Sequence, residues 1–244
     1  MTRNLEGYTD DFLSLPFERT QEYFRRKSIL EFIEKGGFKD ILEVGCGVNP
    51  LFTSFGPDIS FTVIEPTRHF YSLALEKSEN IQNRKVLSLT LEEFNSFDKY
   101  DLIILSSVLH EVVDKVKFVE KLRSLCGKDT LVYINVPNAK SFHRQLAVVM
   151  GIIDDVTDIS FTQLKMQQLS KPFTMETLRS FLNQFGFSVI DAGTLFFKPF
   201  THEQMHRLVE TGFLTPEILQ GFYELPKIYP EFGSEIWMIA KIND

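Results

Sequence analysis

The stretch Ile41-Leu42-Glu43-Val44-Gly45-Cys46-Gly47-Val48-Asn49-Pro50 places an acid near the end of a short apolar run, then two glycines in a G-x-G pair, then an Asn-Pro step. Such a run predicts a buried strand, a glycine turn and the first turn of a helix. Asparagine is a favoured N-cap, and proline is tolerated at the next position, where its missing N–H has no partner to lose. Glycine in the turn removes the side chain that would keep a ligand away from the backbone. Alone, this motif is weak. A second apolar run, Phe61-Thr62-Val63-Ile64-Glu65, also ends in an acid. It stands about twenty residues further on, where strand–turn–helix folds grip a nucleoside ribose.

The rest of the chain alternates in the same way. A helix is expected from about Gln21 to Lys35, after a turn at Leu15-Pro16-Phe17-Glu18, with Tyr23, Leu30 and Ile33 on one side and Gly36-Gly37 as the stop. Strands are expected at Asp40–Val44, Phe61–Glu65, Lys85–Leu89, Asp101–Ser106 and Thr130–Val136, with helices over about Arg68–Glu79 and Val113–Leu125. Alternation of this kind argues for a parallel sheet with helices on both faces, whose ligands sit outside the carboxyl ends of the strands. An apolar helical stretch, Phe142–Ile153, interrupts the pattern. It resumes at Thr174, a suitable N-cap, with Leu178, Phe181, Leu182 and Phe185 at helical spacing and Gly186 as the stop. Phe187–Ile190 and Glu235–Ile242 read as the last two strands, with two short helical segments over about 201–225 between them.

Composition excludes several classes. At 244 residues the chain suits one large domain, which can bury roughly 70–75% of its unfolded surface without staples. The net charge of −7 argues against a nucleic-acid partner, and the basic run Arg25-Arg26-Lys27 reads as a solvated helix face. Two cysteines imply no disulfide framework and fit a reducing, cytoplasmic setting. The N-terminus carries acids and lacks the apolar core of a signal peptide, and no apolar stretch reaches the length of a membrane span.

Glu43 two positions before Gly45, the Gly45/Gly47 pair, and Glu65 closing the second strand together resemble the class I S-adenosylmethionine-dependent methyltransferases. A nicotinamide fingerprint would need a third glycine where Pro50 stands. The methyltransferases' own third glycine is replaced by Asn49, a residue that visits left-handed backbone more readily than most. The resemblance implies an α/β, Rossmann-like, doubly wound sheet of seven mostly parallel strands, the last joining antiparallel. On that basis residues 1–37 form an N-terminal lid and helix. Residues 38–244 form the methyltransferase domain, with substrate-wall insertions at about 137–171 and 196–232.

It also implies roles. The cofactor is S-adenosyl-L-methionine, released as S-adenosyl-L-homocysteine. Glu65 would take the ribose hydroxyls, with Glu43, Gly45 and Gly47 at the cofactor turn. Thr90, Leu91 and Glu92 would meet adenine; the family often has aspartate where Thr90 stands, so adenine recognition would rest on backbone groups and Glu92. Ser106 would border the cofactor, and the Val108-Leu109-His110-Glu111-Val112 segment would point His110 or Glu111 toward it or toward the acceptor.

The run Val136-Pro137-Asn138-Ala139-Lys140-Ser141-Phe142-His143-Arg144 resembles a subgroup of bacterial methyltransferases of surface-glycan and secondary-metabolite pathways. That places Asn138 and His143 on the acceptor wall and makes the acceptor a small polar molecule, a sugar or activated sugar. His110, Glu111 and His143 are then the candidate proton acceptors for O-methylation. N-methylation of a small amine and a catalytically silent cofactor-binding regulator are the alternatives. A homodimer is compatible with all of them. His202-Glu203-Gln204-Met205-His206 matches the H-E-x-x-H zinc pattern, but it falls late, in an excursion from the sheet, and no metal is assigned.

Overall fold

The computed structural model describes residues 14–160, 163–164 and 170–243. Residues 1–13 of the expected lid, and 161–162 and 165–169 of the first expected insertion, lie outside them. Seven strands form one sheet in the order β3-β2-β1-β4-β5-β7-β6. They are β1 (Asp40–Val44), β2 (Ser60–Ile64), β3 (Arg84–Leu87), β4 (Leu102–Ser106), β5 (Leu131–Pro137), β6 (Phe187–Leu195) and β7 (Glu235–Ile242). β1 through β5 pair in parallel, and β7 runs antiparallel to both β5 and β6. This is the doubly wound sheet that the resemblance implied.

The helices are α1 (Glu18–Gly36), α2 (Arg68–Ser78), α3 (Lys115–Leu125), α4 (Phe142–Val149), α5 (Met175–Gln184), α6 (His202–Glu210) and α7 (Pro216–Glu224). The central strands are apolar without alternation because both sheet faces are covered. Leu42, Ile103, Leu105 and Ile134 pack with Phe118 and Leu122 of α3 and Leu178 and Leu182 of α5. Their strand neighbours Ile41, Leu102, Ile104 and Tyr133 point the other way, onto Ile29 and Ile33 of α1 and Ala74 of α2. A third cluster joins Phe17 and Phe24 to Phe196, Met205, Leu214 and Tyr223, fixing α6 and α7 beside the start of α1.

Several local expectations shift. The buried residues of α1 are Glu18, Gln21, Phe24, Arg25, Ile29 and Ile33; Ile33 is buried as expected and Leu30 packs against its cluster, but Tyr23 is 61% exposed. Polar residues occupy much of the inward face of the first half, which apolar periodicity does not register. The basic run is likewise not a solvated face. Arg25 is buried, Arg26 bonds the glycine turn, and Lys27 donates to Gln220 and lies over the Tyr223 ring. β6 runs on past Ile190 to Leu195 because a bulge between Val189 and Asp191 breaks the two-residue alternation that marks a strand. Gly193 is required there: a Cβ would lie 2.8 Å from the Trp237 ring. α4 stops at Val149 rather than near Ile153, ended by Gly151 in left-handed backbone (φ 69°). α5 begins as expected, with Thr174 accepting from the Thr177 N–H in a capping box.

Candidate active site

The carboxyl ends of β1, β2 and β4 open onto a cavity of about 630 Å³, walled in part by α1 and the loop after β3. At its floor β1 ends in the glycine turn, with Gly45 at φ 74° and Gly47 at φ 53°, values that side-chain-bearing residues rarely adopt. A Cβ on Gly45 would meet Val108 Cγ2 at 2.8 Å, whereas at Gly47 nothing stands within 4 Å. Asn49 is not among the positive-φ residues, so the missing third glycine costs the turn no strain. Nor does Asn49 cap a helix. It donates to Glu22 at 2.9 Å, and a single 3-10 turn, Leu51–Ser54, starts after Pro50 with no side-chain cap from either residue.

That turn is capped from the strand. Both carboxylate oxygens of Glu43 accept from the Leu51 N–H, at 3.2 and 3.0 Å. Burial pushes the Glu43 carboxyl up to about 8, against the lowering effect of that bond and of Arg26; Glu65 nearby raises it further. Glu43 lines the cavity, but its carboxylate holds the turn together. Glu65, just beyond β2, accepts from the Cys46 N–H at 3.1 Å through one oxygen and from the Thr67 N–H at 2.8 Å through the other. It is 3% exposed, and burial raises its carboxyl above the ordinary value. The Cys46 thiol lies 4.0 Å from the first oxygen, and the Thr67 hydroxyl and the Gly47 N–H also favour the charged form, so the carboxylate is tied to the glycine turn while lining the cavity.

Thr90, Leu91, Glu92 and Ser106 also line the cavity. Thr90 is engaged by Glu93, whose carboxylate accepts from its N–H and its hydroxyl at 3.0 Å each, and Leu91 is buried. Ser107, which the sequence reading passed over, takes φ 58° and donates to Asn135 Oδ1 at 3.1 Å. A non-glycine residue in left-handed backbone at a strand end marks a site held by its surroundings. Of the candidate proton acceptors, Glu111 is in the cavity wall; His110 and His143 are not among the described lining residues. His110 and Glu111 share a 3-10 turn, Leu109–Glu111, anchored by buried Leu109, and His110 Nε2 lies 3.7 Å from Glu111 Oε1.

His143 belongs to another neighbourhood. Burial first, then the positive charges of Lys198 and Arg144 and the His202 ring, hold its imidazole well below the usual value. The motif run after β5 is largely architectural. Asn138 donates to the carbonyls of Glu231 at 2.9 Å and Gly233 at 2.8 Å and accepts from the Lys140 N–H at 2.9 Å, so it does not face an acceptor. Arg144 donates to the Val156 and Asp158 carbonyls. The zinc-like pair diverges. His202 Nδ1 lies 3.1 Å from the Pro16 carbonyl, and His206 pairs with Glu210 at 3.3 Å. Among the described residues no group of three or more His, Cys, Asp or Glu could hold a metal, and no helix is long and apolar enough to cross a membrane.

Residues 17–192 match a family described as a methyltransferase domain. No curated protein matches the chain. Among solved structures, the plantazolicin methyltransferase BamL, in complex with a triazolic desmethylPZN analogue and SAH, aligns with a TM-score of 0.60 at 17% identity, over 93% of this chain and 88% of that one. The N-methyltransferase NodS from Bradyrhizobium japonicum WM9, in complex with S-adenosyl-L-homocysteine, gives 0.56 at 12% identity over 95% and 90%. Magnesium protoporphyrin IX methyltransferase (ChlM) from Synechocystis PCC 6803, with bound SAM, gives 0.54 at 12% over 93% and 80%. At such identities the likeness is one of fold.

Proposed function

The chain belongs to the methyltransferase family that it matches over residues 17–192, and from that premise we propose what it methylates and with which residues. It is an S-adenosylmethionine-dependent methyltransferase of class I fold. The reaction we assign to it is transfer of the methyl group to a hydroxyl of a small polar acceptor, a sugar or activated sugar. The observation that carries the cofactor site is the meeting, in one cavity, of the left-handed Gly45/Gly47 turn and the buried Glu65 carboxylate.

These residues fit the cofactor. Glu65 brings a carboxylate to the cavity wall, where ribose hydroxyls would donate to it. Gly47 presents bare backbone, and the loop holding Leu91 and Glu92 offers apolar and polar edges to a purine. The cofactor supplies a methyl group on sulfonium sulfur, which departs as a neutral thioether. The protein's part is therefore alignment and exclusion of water more than bond activation. A sugar hydroxyl attacks well only as its proton leaves, and Glu111 with His110 beside it is the pair we assign to that proton. His143, held neutral by burial and neighbouring cations, is a poorer base. The sugar class is supported by the resemblance of the run after β5, although Asn138 and Arg144 of that run are engaged in backbone bonds and His143 stands outside the cavity lining.

Incubation with S-adenosylmethionine and a panel of nucleotide sugars tests this. S-adenosylhomocysteine should form with at least one hydroxyl acceptor, and Glu111→Gln should slow turnover while leaving S-adenosylhomocysteine affinity unchanged. Product formed only with amines would establish N-methylation, the activity named for NodS. Tight S-adenosylhomocysteine binding without turnover on any acceptor would make the protein a cofactor-binding regulator.

A further inference from the structure

The start of α4 carries polar groups that the described residues do not satisfy. Ser141 stands at its N-cap, fully buried, yet its hydroxyl caps no N–H and has no hydrogen-bond partner. His143, in the first turn, has its Nδ1 sealed from solvent and likewise without a partner. The Phe142 N–H is taken by the Phe232 carbonyl, and those of Arg144 and Gln145 share the Ser141 carbonyl. The His143 N–H makes no hydrogen bond among the described residues. A buried polar group without a partner is costly, and three at one helix start mark a place for a ligand.

A lysine comes to the same place from another part of the chain. Phe197 packs its ring on that of Phe142, centroids 4.9 Å apart, which brings the segment after β6 beside the start of α4. Next in that segment is Lys198, 3% exposed and without a hydrogen bond among the described residues. Burial pushes its ammonium down to about 8, and the charges that bear on it are mixed, Glu18 and Glu235 against Arg25 and Arg144. At His143 the balance differs. After burial, Lys198, His202 and Arg144 each disfavour an imidazolium, and no acid is among the groups that act on it. Arg144 in turn answers to Asp158 and Asp155. The field at the helix start is therefore positive, and the dipole of α4 adds to it.

We propose that Ser141, His143 and Lys198 form an anion subsite at the start of α4, which takes a phosphate or carboxylate group borne by the methyl acceptor. This rests on the reading of the acceptor as a sugar or activated sugar and narrows it to sugars that carry an acidic group. The donors are the Ser141 hydroxyl, the His143 N–H, the Lys198 ammonium and the imidazole in its Nδ1–H tautomer. They come from two separate stretches of chain, so the subsite exists only where the segment after β6 packs on α4.

The test uses inorganic phosphate and acetate as probes, each against chloride at equal ionic strength. At five times its dissociation constant, an anion bound only to the folded state raises the melting temperature of a domain this size by about 2–4 °C. Wild-type protein should show that shift with phosphate if the acceptor's group is a phosphate, or with acetate if it is a carboxylate. The shift should persist when S-adenosylhomocysteine saturates the cofactor cavity. Lys198→Met keeps the buried stem and removes the charge, and Ser141→Ala removes only a hydroxyl. Calorimetry should show Lys198→Met weakening the anion about tenfold or more, and Ser141→Ala weakening it less, with S-adenosylhomocysteine affinity within about twofold in both. No saturable shift with either anion, a shift abolished by S-adenosylhomocysteine, or variants that titrate like wild type would overturn the subsite. A protein that shows the anion shift yet methylates no sugar keeps the subsite and loses the sugar reading. Sugar methylation without anion binding does the reverse.

Discussion

Replacing Glu43 by Gln turns the capping geometry of the glycine turn into a pH experiment. A glutamine oxygen can still accept from the Leu51 N–H, so the 3-10 turn keeps its cap while the titration disappears. In the folded protein the carboxyl is raised from 4.5 to about 8, chiefly by burial. The folded state thus keeps a proton that the unfolded chain has released, and stability falls as pH climbs between those two values. Each pH unit inside that window costs one factor of ten in the folding equilibrium, so from pH 5.5 to 7.5 the wild type should lose about 3 kcal/mol through this residue alone. For a domain of this size that is a shift of roughly 6–12 °C in melting temperature. Denaturant or thermal melts of wild type and variant at pH 5.5, 6.5, 7.5 and 9 measure it. Glu43→Gln should gain on the wild type as pH rises from 5.5, by a margin that grows to pH 8 and then levels. The raised carboxyl of Glu18 acts on both proteins and cancels in the difference, whereas the repulsion between Glu65 and Glu43 is part of the margin. Parallel profiles across the window would refute the reasoning, because they would mean Glu43 ionises alike in the folded and unfolded chain.

Glu65→Ala should weaken S-adenosylhomocysteine binding about tenfold or more, the loss of a charged hydrogen bond being roughly 1.5–3 kcal/mol; unchanged calorimetric affinity would take Glu65 out of the site. Gly45→Ala should lower stability by about 1–2 kcal/mol for the left-handed backbone, with a further loss from the overlap with Val108. Adding Val108→Ala should recover the second part and leave the first, and a double variant no better than the single would show that Val108 is not the obstacle. Asn138→Ala removes a side chain that bonds two carbonyls and an amide. It should cost about 3 kcal/mol in a melt while cofactor affinity stays within about twofold; a melting temperature within a degree or two of wild type would contradict its structural role.

The fold was legible because its central strands are buried on both faces. Leu102-Ile103-Ile104-Leu105 leaves no polar interruption, and the run at Ile41, with Glu43 inside it and two glycines after it, has few folds open to it. The ends were less legible. The second half of the edge strand β6 hid behind a bulge, and α4 was overextended because Ile152 and Ile153 continue its apolar character past a glycine that ends it. Glu43, Gly45, Gly47, Glu65, Thr90, Leu91, Glu92 and Ser106 all line one cavity. Their roles divide in a way spacing cannot show: Glu43 and Glu65 look alike in sequence, yet one caps the 3-10 turn after Pro50 and the other bonds the Cys46 and Thr67 N–H groups.

What the sequence concealed most thoroughly is the contribution of α1. Hydrophobic periodicity finds a buried face by its apolar residues, and here Glu18, Gln21 and Arg25 are buried beside Phe24 in the first half. Gln21 and Arg25 can be buried because their partner, Glu235, arrives from β7, 210 residues beyond Arg25, and Arg25 in turn pairs with Glu18. A charge pattern read locally therefore returns a solvated helix, since the compensating charge lies outside any window. Burying Arg25 without Glu235 would cost several kcal/mol, so the helix and the last strand must dock together for either to be stable there. It follows that the cavity is completed only when β7 has joined the sheet. Loss of the Arg25–Glu235 pair should then be felt in the cavity wall, which includes Arg25, before it is felt in the central strands, whose packing on α3 and α5 does not involve it.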